Sequence, residues 1–410
     1  MQEAARLMHA VAALAVAAVT ALTPAPDLGH QILASNDGWA AAEGGTTGGA
    51  AARHAVTVRT RDELAAAVAG DEPKIVYVEG AVTAPAKTCA DYAAPGYSLP
   101  DYLDAYDPAR WTGPASGPLE EARKASAAGQ RRDVVIGIGA NTTLIGRRGA
   151  SLSGLALAVE QSDNVIIRNL AVHDAYDCFP GWSGGDWKTE YDNVMISESR
   201  HVWVDHVTLT DGDRPDQAEP YYFGARFLHH DGLLDVVRGS DLVTVSWSVF
   251  SGHDKSLLWG NTDNPEHDAG KLRVTLHHNA LTGLNQRAPR VRHGQVHVYN
   301  NAYTVPAGSA YTYSWGVGVN SAIYAQNNTF RLPEGTSADK IIYRWGGNAI
   351  HEEGTLVNGR RVGVLAAYNA VNDPDLGGDV GWTPALHGRV DPAWAVAALV
   401  KARAGAGRLS

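Results

Sequence analysis

The sequence predicts an all-β chain wound as a parallel β-helix, on two observations. Beyond residue 130 it breaks into many short β-rich runs with little helical signal, too many for a doubly wound α/β fold. Several of those runs end alike, in Val274-Thr275-Leu276-His277-His278-Asn279, Val296-His297-Val298-Tyr299-Asn300-Asn301 and Ile323-Tyr324-Ala325-Gln326-Asn327-Asn328. The closing asparagines stand 22 and 27 residues apart. A repeat of that length, built of short strands with Asn at the turn, suits coils that stack on one another while their amides ladder along one bend. A propeller or sandwich would also supply many strands, but explains the Asn endings less directly.

The elements follow in order. With 410 residues, 45% of them hydrophobic, the chain can bury one large core or two medium ones. Leu7 to Leu22 is apolar except for His9 and Thr20, and falls short of the ~20 residues a bilayer span needs. It reads as a signal peptide ending near residue 28, which leaves 29–410 as one exported, soluble domain. Residues 37–54, rich in Gly, Ala and Thr, are expected to be irregular, and Arg61 to Ala69 has the apolar spacing of a short capping helix. Strands are expected at Val134 to Ile138, Thr143 to Ile145, Leu155 to Val159, Val165 to Arg168, Val194 to Ser197, Val202 to Asp205, Leu242 to Ser246, Leu272 to Leu276, Val296 to Tyr299 and Ala322 to Ala325. The two cysteines, Cys89 and Cys178, allow one disulfide or two buried thiols, and sequence does not choose.

The charge is unevenly placed. A total of 34 Lys+Arg against 44 Asp+Glu argues against a nucleic-acid or anionic-membrane partner. Yet residues 174–268 hold 18 acids and 6 bases, whereas residues 269–333 hold 6 bases and no acid. The second stretch leaves a positive surface unless neighbouring coils neutralise it.

Three constellations carry chemistry. His229-His230-Asp231-Gly232-Leu233-Leu234-Asp235, with Tyr191-Asp192-Asn193 upstream, gathers carboxylates without cysteine, a donor set suited to a hard cation such as Ca2+. In a straight strand Asp231 and Asp235 would stand about 13 Å apart, so a bend at Gly232 is expected. The alternating acids of an EF-hand loop are absent, and two Asp beside a turn also serve as caps or solvated loop residues. Gln286-Arg287-Ala288-Pro289-Arg290-Val291-Arg292 offers guanidinium forks suited to carboxylates, with Pro289 outside any central ladder. His253-Asp254-Lys255-Ser256 places one lysine between the acidic and basic regions. The histidines His206, His229, His230, His277 and His278 are expected to be packing residues.

These segments, together with Val243-Thr244-Val245-Ser246-Trp247 and Gln295-Val296-His297-Val298-Tyr299-Asn300-Asn301, resemble the pectate lyases of polysaccharide lyase family 1 over about residues 133–390. Val202-Trp203-Val204-Asp205-His206 resembles that family's W-I-D-H signature, with Val204 in place of isoleucine. Two departures touch subsite details: Tyr191 stands where Trp is frequent, and the loop Pro180 to Glu190 looks short.

The resemblance implies a right-handed, single-stranded parallel β-helix with long loops, acting as a monomer on polygalacturonate by Ca2+-dependent β-elimination. It implies Asp192, Asp231 and Asp235 as Ca2+ ligands, Lys255 and Arg292 as binders of substrate carboxylates, and Arg287 as catalytic base. The C5 proton of a uronate is only weakly acidic, so the reaction needs cations around the developing enolate. An arginine base predicts an alkaline optimum. A pectin lyase acting on methyl-esterified polymer without Ca2+ needs fewer carboxylates, a two-carboxylate hydrolase does not need the Lys and Arg set, and a noncatalytic polysaccharide-binding β-helix would rely on its Trp and Tyr residues.

Overall fold

The computed structural model describes residues 27–409. The apolar run Leu7 to Leu22, and with it the expected signal peptide, lies outside them. Among the described residues no helix is long and apolar enough to cross a membrane.

From Val135–Gly137 onward, each coil of the chain contributes one strand to each of three parallel sheets. In one coil Val194–Ser197 leads to Arg200–Asp205 and Thr208–Thr210, and the next begins at Leu234–Val237. The three sheets hold eight, ten and ten strands among the described residues, and within them only the closing pair Leu356–Val357 and Arg360–Arg361 is antiparallel. The architecture is the expected right-handed parallel β-helix. Val194–Ser197, Leu234–Val237, Leu258–Trp259, Arg290–Val291, Trp315–Gly318 and Ile342–Trp345 are consecutive in the eight-stranded sheet, called the cleft sheet below.

Strand alternation decides which side chains face inward. Ile196, Val236, Trp259, Val291 and Val317 pair in succession and are fully buried, one stack of the core. Each such side chain contributes about 1.5–3 kcal/mol on leaving water. The partners one residue away, Met195 with Asp235 and Leu258 with Arg290, therefore stand on the outer face. The Asn repeat is a ladder: the Asn279 amide nitrogen donates to Asn301 Oδ1 at 3.0 Å, and that of Asn301 to Asn328 Oδ1 at 3.1 Å. The residue before each of these, His278, Asn300 or Asn327, is left-handed at φ 56°, 52° or 49°, which turns the chain between sheets.

All ten expected strands are present, with ends shifted by up to two residues. Val134 instead closes a helix, Pro118–Val134, that the sequence pattern hides. That helix buries polar side chains, with Arg123 donating to Glu120 at 2.8 Å and Tyr102 Oη donating to Glu120 at 2.8 Å, so no apolar stripe marks it. The capping helix runs Arg61–Val68, opened by a Thr60/Glu63 capping box. Cys89 and Cys178 are joined as a disulfide with a Cα–Cα distance of 5.3 Å, tying the short helix Cys89–Tyr92 to the loop that precedes the site.

Candidate active site

The carboxylates gather where two coils enter the cleft sheet. Asp192 immediately precedes Asn193 and the strand Val194–Ser197, Asp231 lies at the corner before Leu234–Val237, and Asp235 is that strand's second residue. The Asp231 amide donates to the Tyr191 carbonyl at 3.2 Å and the Asn193 amide to the Gly232 carbonyl at 3.0 Å, which locks the corners together. The bend expected at Gly232 is present. A Cβ on Gly232 would lie 2.6 Å from Asp192 Oδ1 and 2.8 Å from Asp235 Oδ1, so the missing side chain is the space both carboxylates face.

These acids are costly as they stand. Asp192 and Asp235 are buried, and Asp192 Oδ1 has no hydrogen-bond partner. Burial, then repulsion from Asp235 and Asp231, pushes the Asp192 carboxyl well above the usual carboxylate range. Burial raises Asp231, and burial with the charge of Asp231 raises Asp235 to about 7. Among the described residues no three His, Cys, Asp or Glu side chains stand so placed that they could hold a metal ion as a group. An orphaned carboxylate oxygen, a cradle that one Cβ would fill and an all-oxygen donor set nevertheless fit a hard divalent cation.

The cations approach from the following coils. Lys255 ends the strand Val249–Lys255 in register with Gln286. Arg287 follows Gln286 in the left-handed conformation at φ 57°, rare for a side chain of this size. Its Nε is buried without a hydrogen-bond partner, it belongs to no ion pair among the described residues, and its charge acts on Asp192, Asp231 and Asp235. Arg292 lies just beyond Arg290–Val291, donating from Nε to Asp263 at 2.6 Å and from Nη1 to the Gly260 carbonyl at 2.7 Å. The three aspartates, Lys255 and Arg287 thus share one neighbourhood, while Arg292 is held on its edge.

Sequence reading missed the acids that meet these cations. Asp186, in the hairpin of Gly181–Trp182 and Trp187–Lys188, accepts from Lys255 Nζ at 3.0 Å, and Asp263 pairs with Arg292. The acid-free stretch is further neutralised by Asp241 and Glu43 on Arg273. It is therefore less positive than its composition implied: Arg273 and Arg292 are paired, whereas Lys271, Arg287, Arg290 and Arg331 belong to no ion pair among the described residues. Only the dense placement of acids in 174–268 hinted at such partners. His253, also unforeseen, hydrogen-bonds with Asp211 at 2.6 Å and the Asp231 carbonyl at 2.8 Å, bracing the corner. The five histidines named above pack or pair: His229 stacks on Tyr176, His206 and His278 on Trp247, His277 on Tyr299, and His230 sits between Asp174 and Asp216.

A coiled parallel sheet thus brings buried carboxylates against unpaired arginines on one outer face, a surface suited to acidic ligands. A family description for pectate lyase matches residues 113–366. A pectate lyase of Bacillus subtilis (strain 168) is 43% identical over 97% of this chain and 99% of its own. A solved thermostable pectate lyase superposes with a TM-score of 0.91 at 41% identity, over 94% of this chain and 100% of that one. A pectate lyase solved with a bound hexasaccharide gives 0.89 at 43% identity over the same shares. The chain belongs to the pectate lyase family and is an enzyme of that class.

Proposed function

We propose that this chain is a secreted, Ca2+-dependent lyase that cleaves α-1,4-polygalacturonate by β-elimination to 4,5-unsaturated oligogalacturonides. On this reading residues 1–28 are the leader and 29–410 the single catalytic domain. The observation that supports it is the Gly232 corner, where a Cβ would lie 2.6 Å from Asp192 Oδ1 and 2.8 Å from Asp235 Oδ1, so that both carboxylates converge on one point within the field of Arg287.

Asp192, Asp231 and Asp235 are the residues that would hold Ca2+. When bound, the ion supplies a Lewis acid for a substrate carboxylate and offsets the cost of burying three acids together. Lys255 and Arg292 hold uronate carboxylates and fix the ring. Arg287, after giving up one guanidinium proton to solvent, takes the C5 proton; the electrons of that C–H bond form the C4–C5 double bond as the bond from C4 to the glycosidic oxygen breaks. The departing oxygen takes up a proton from solvent. Because no water adds across the cleaved bond, one of the two products is lighter by one water than its hydrolysis counterpart. Mass analysis of oligogalacturonates after digestion of the polymer tests this directly; products carrying the full hydrolytic mass would assign the site to a hydrolase instead.

A further inference from the structure

The cleft sheet continues beyond Arg290–Val291 into Trp315–Gly318 and then Ile342–Trp345. Arg290 pairs with Gly316, which pairs with Tyr343; Gly318 pairs with Trp345 two residues along. Alternation places Arg290, Gly316, Gly318, Tyr343 and Trp345 on one face, the outer one. A Cβ on Gly316 would lie 2.9 Å from the Tyr313 ring and 3.0 Å from Arg290 Cβ, and one on Gly318 would lie 2.9 Å from Arg292 Cγ. The two glycines make the room in which neighbouring side chains lie flat across the strand.

The Arg290 guanidinium lies 4.0 Å from the centroid of the Trp345 ring, and the Tyr343 and Trp345 rings are 4.9 Å apart. Tyr313 is 5.4 Å from Tyr343, and its phenol feels the charges of Arg287 and Arg290. An aromatic surface therefore begins beside Arg287 and runs two strand spacings, roughly 10 Å, along the sheet. Tyr343 is 46% and Trp345 36% exposed, a contiguous apolar patch that packing leaves uncovered. Arg290 has no ion-pair partner among the described residues; burial and the nearby Arg292 and Arg287 lower it to about 10, so it stays charged at neutral pH.

We propose that Tyr343, Trp345 and Arg290 form a distal subsite for a uronate residue of the polymer remote from the cleaved bond, the rings taking the apolar face of the sugar and the guanidinium its carboxylate. The proposal rests on the lyase reading above. Continuity with the Arg287 neighbourhood selects the same polymer chain as occupant, and the unpaired Arg290 selects an acidic sugar over a neutral one.

Steady-state kinetics on polygalacturonate and on trigalacturonate test it. For the Tyr343→Ala/Trp345→Ala double variant, KM on the polymer should rise roughly tenfold. Its kcat should stay within about twofold, and trigalacturonate, which covers less of the patch during cleavage, should lose less than the polymer. An unchanged KM on the polymer, or equal losses on both substrates, would overturn the proposal. Trp345 also supports Arg290, so if the double variant does not fold, Tyr343→Ala alone should raise polymer KM severalfold, and no rise would overturn the proposal equally. If the unaltered chain releases no unsaturated product, the lyase reading fails separately. Calorimetric binding of polygalacturonate to the unaltered chain and to Tyr343→Ala then decides the subsite, weaker binding by the variant supporting it and equal binding overturning it.

Discussion

Asp186 Oδ2 accepts a hydrogen bond from Lys255 Nζ at 3.0 Å, so a cation assigned to substrate carboxylates already holds a carboxylate of its own. Burial works against the Asp186 charge, but Lys255 and Lys188 outweigh it and keep its carboxyl below the ordinary value. Substrate must share or displace this contact. A half-exposed pair of this kind is worth at most about 1 kcal/mol, so Asp186→Asn should lower KM for polygalacturonate by roughly two- to fivefold with kcat little changed. A higher KM in the same kinetics would mean that Asp186 assists binding instead.

Gly232 tests the cradle without removing any proposed ligand. Gly232→Ala puts a methyl group 2.6 Å and 2.8 Å from the two carboxylate oxygens, positions that only displacement can relieve. Activity should fall by at least roughly a hundredfold, an effect of the size of losing a key stabilising contact. The rise in melting temperature on adding Ca2+ should vanish, as read by scanning calorimetry with and without chelator. A full Ca2+ response in this variant would place the ion elsewhere.

The raised carboxylates tie Ca2+ binding to pH. Asp192, Asp231 and Asp235 all titrate above their unfolded values of about 3.9, Asp235 at about 7. In metal-free protein their contribution to stability is therefore present below about pH 4 and is lost as pH rises through about 7. A cation replaces the protons, so Ca2+ should raise the melting temperature more at pH 8 than at pH 5 and should release protons on binding near pH 6. Equal stabilisation at both pH values would contradict the assignment.

Arg287→Lys separates chemistry from binding. Arg287 pairs with no acid among the described residues, and its removal breaks no ion pair. Turnover should drop by at least about a thousandfold, as for a lost general base, while polymer binding and the Ca2+-dependent melting shift persist. Binding lost in parallel with turnover would make Arg287 a binding residue.

The parallel coils were legible because each had to bury short aliphatic runs and three successive ones turn at an asparagine. Residues such as Ile196 and Val236, or Asn279 and Asn301, therefore repeat in the sequence as they stack in space. The three-residue strands, Thr208–Thr210 among them, are too short to show a period, and Pro118–Val134 packs through Glu120 and Arg123, leaving no apolar stripe to read. At the site, the carboxylate corner and the arginine run were visible as composition. Asp186 and Asp263 were not, because each meets its cation across coils, 69 and 29 residues away. The aromatic surface at Tyr343 and Trp345 was equally hidden, since the two glycines that admit it belong to a different strand.

The central claim is elimination on a uronate assisted by a cation in the Asp192, Asp231 and Asp235 cluster. The direct measurement is the ultraviolet absorbance of the 4,5-unsaturated uronide released from polygalacturonate, followed with Ca2+ and then with excess chelator. Absorbance should rise with Ca2+, fastest at alkaline pH, stop on chelation and resume when Ca2+ is restored. No rise with Ca2+ present would contradict the lyase reading, and a rise indifferent to chelator would contradict the role given to the aspartates.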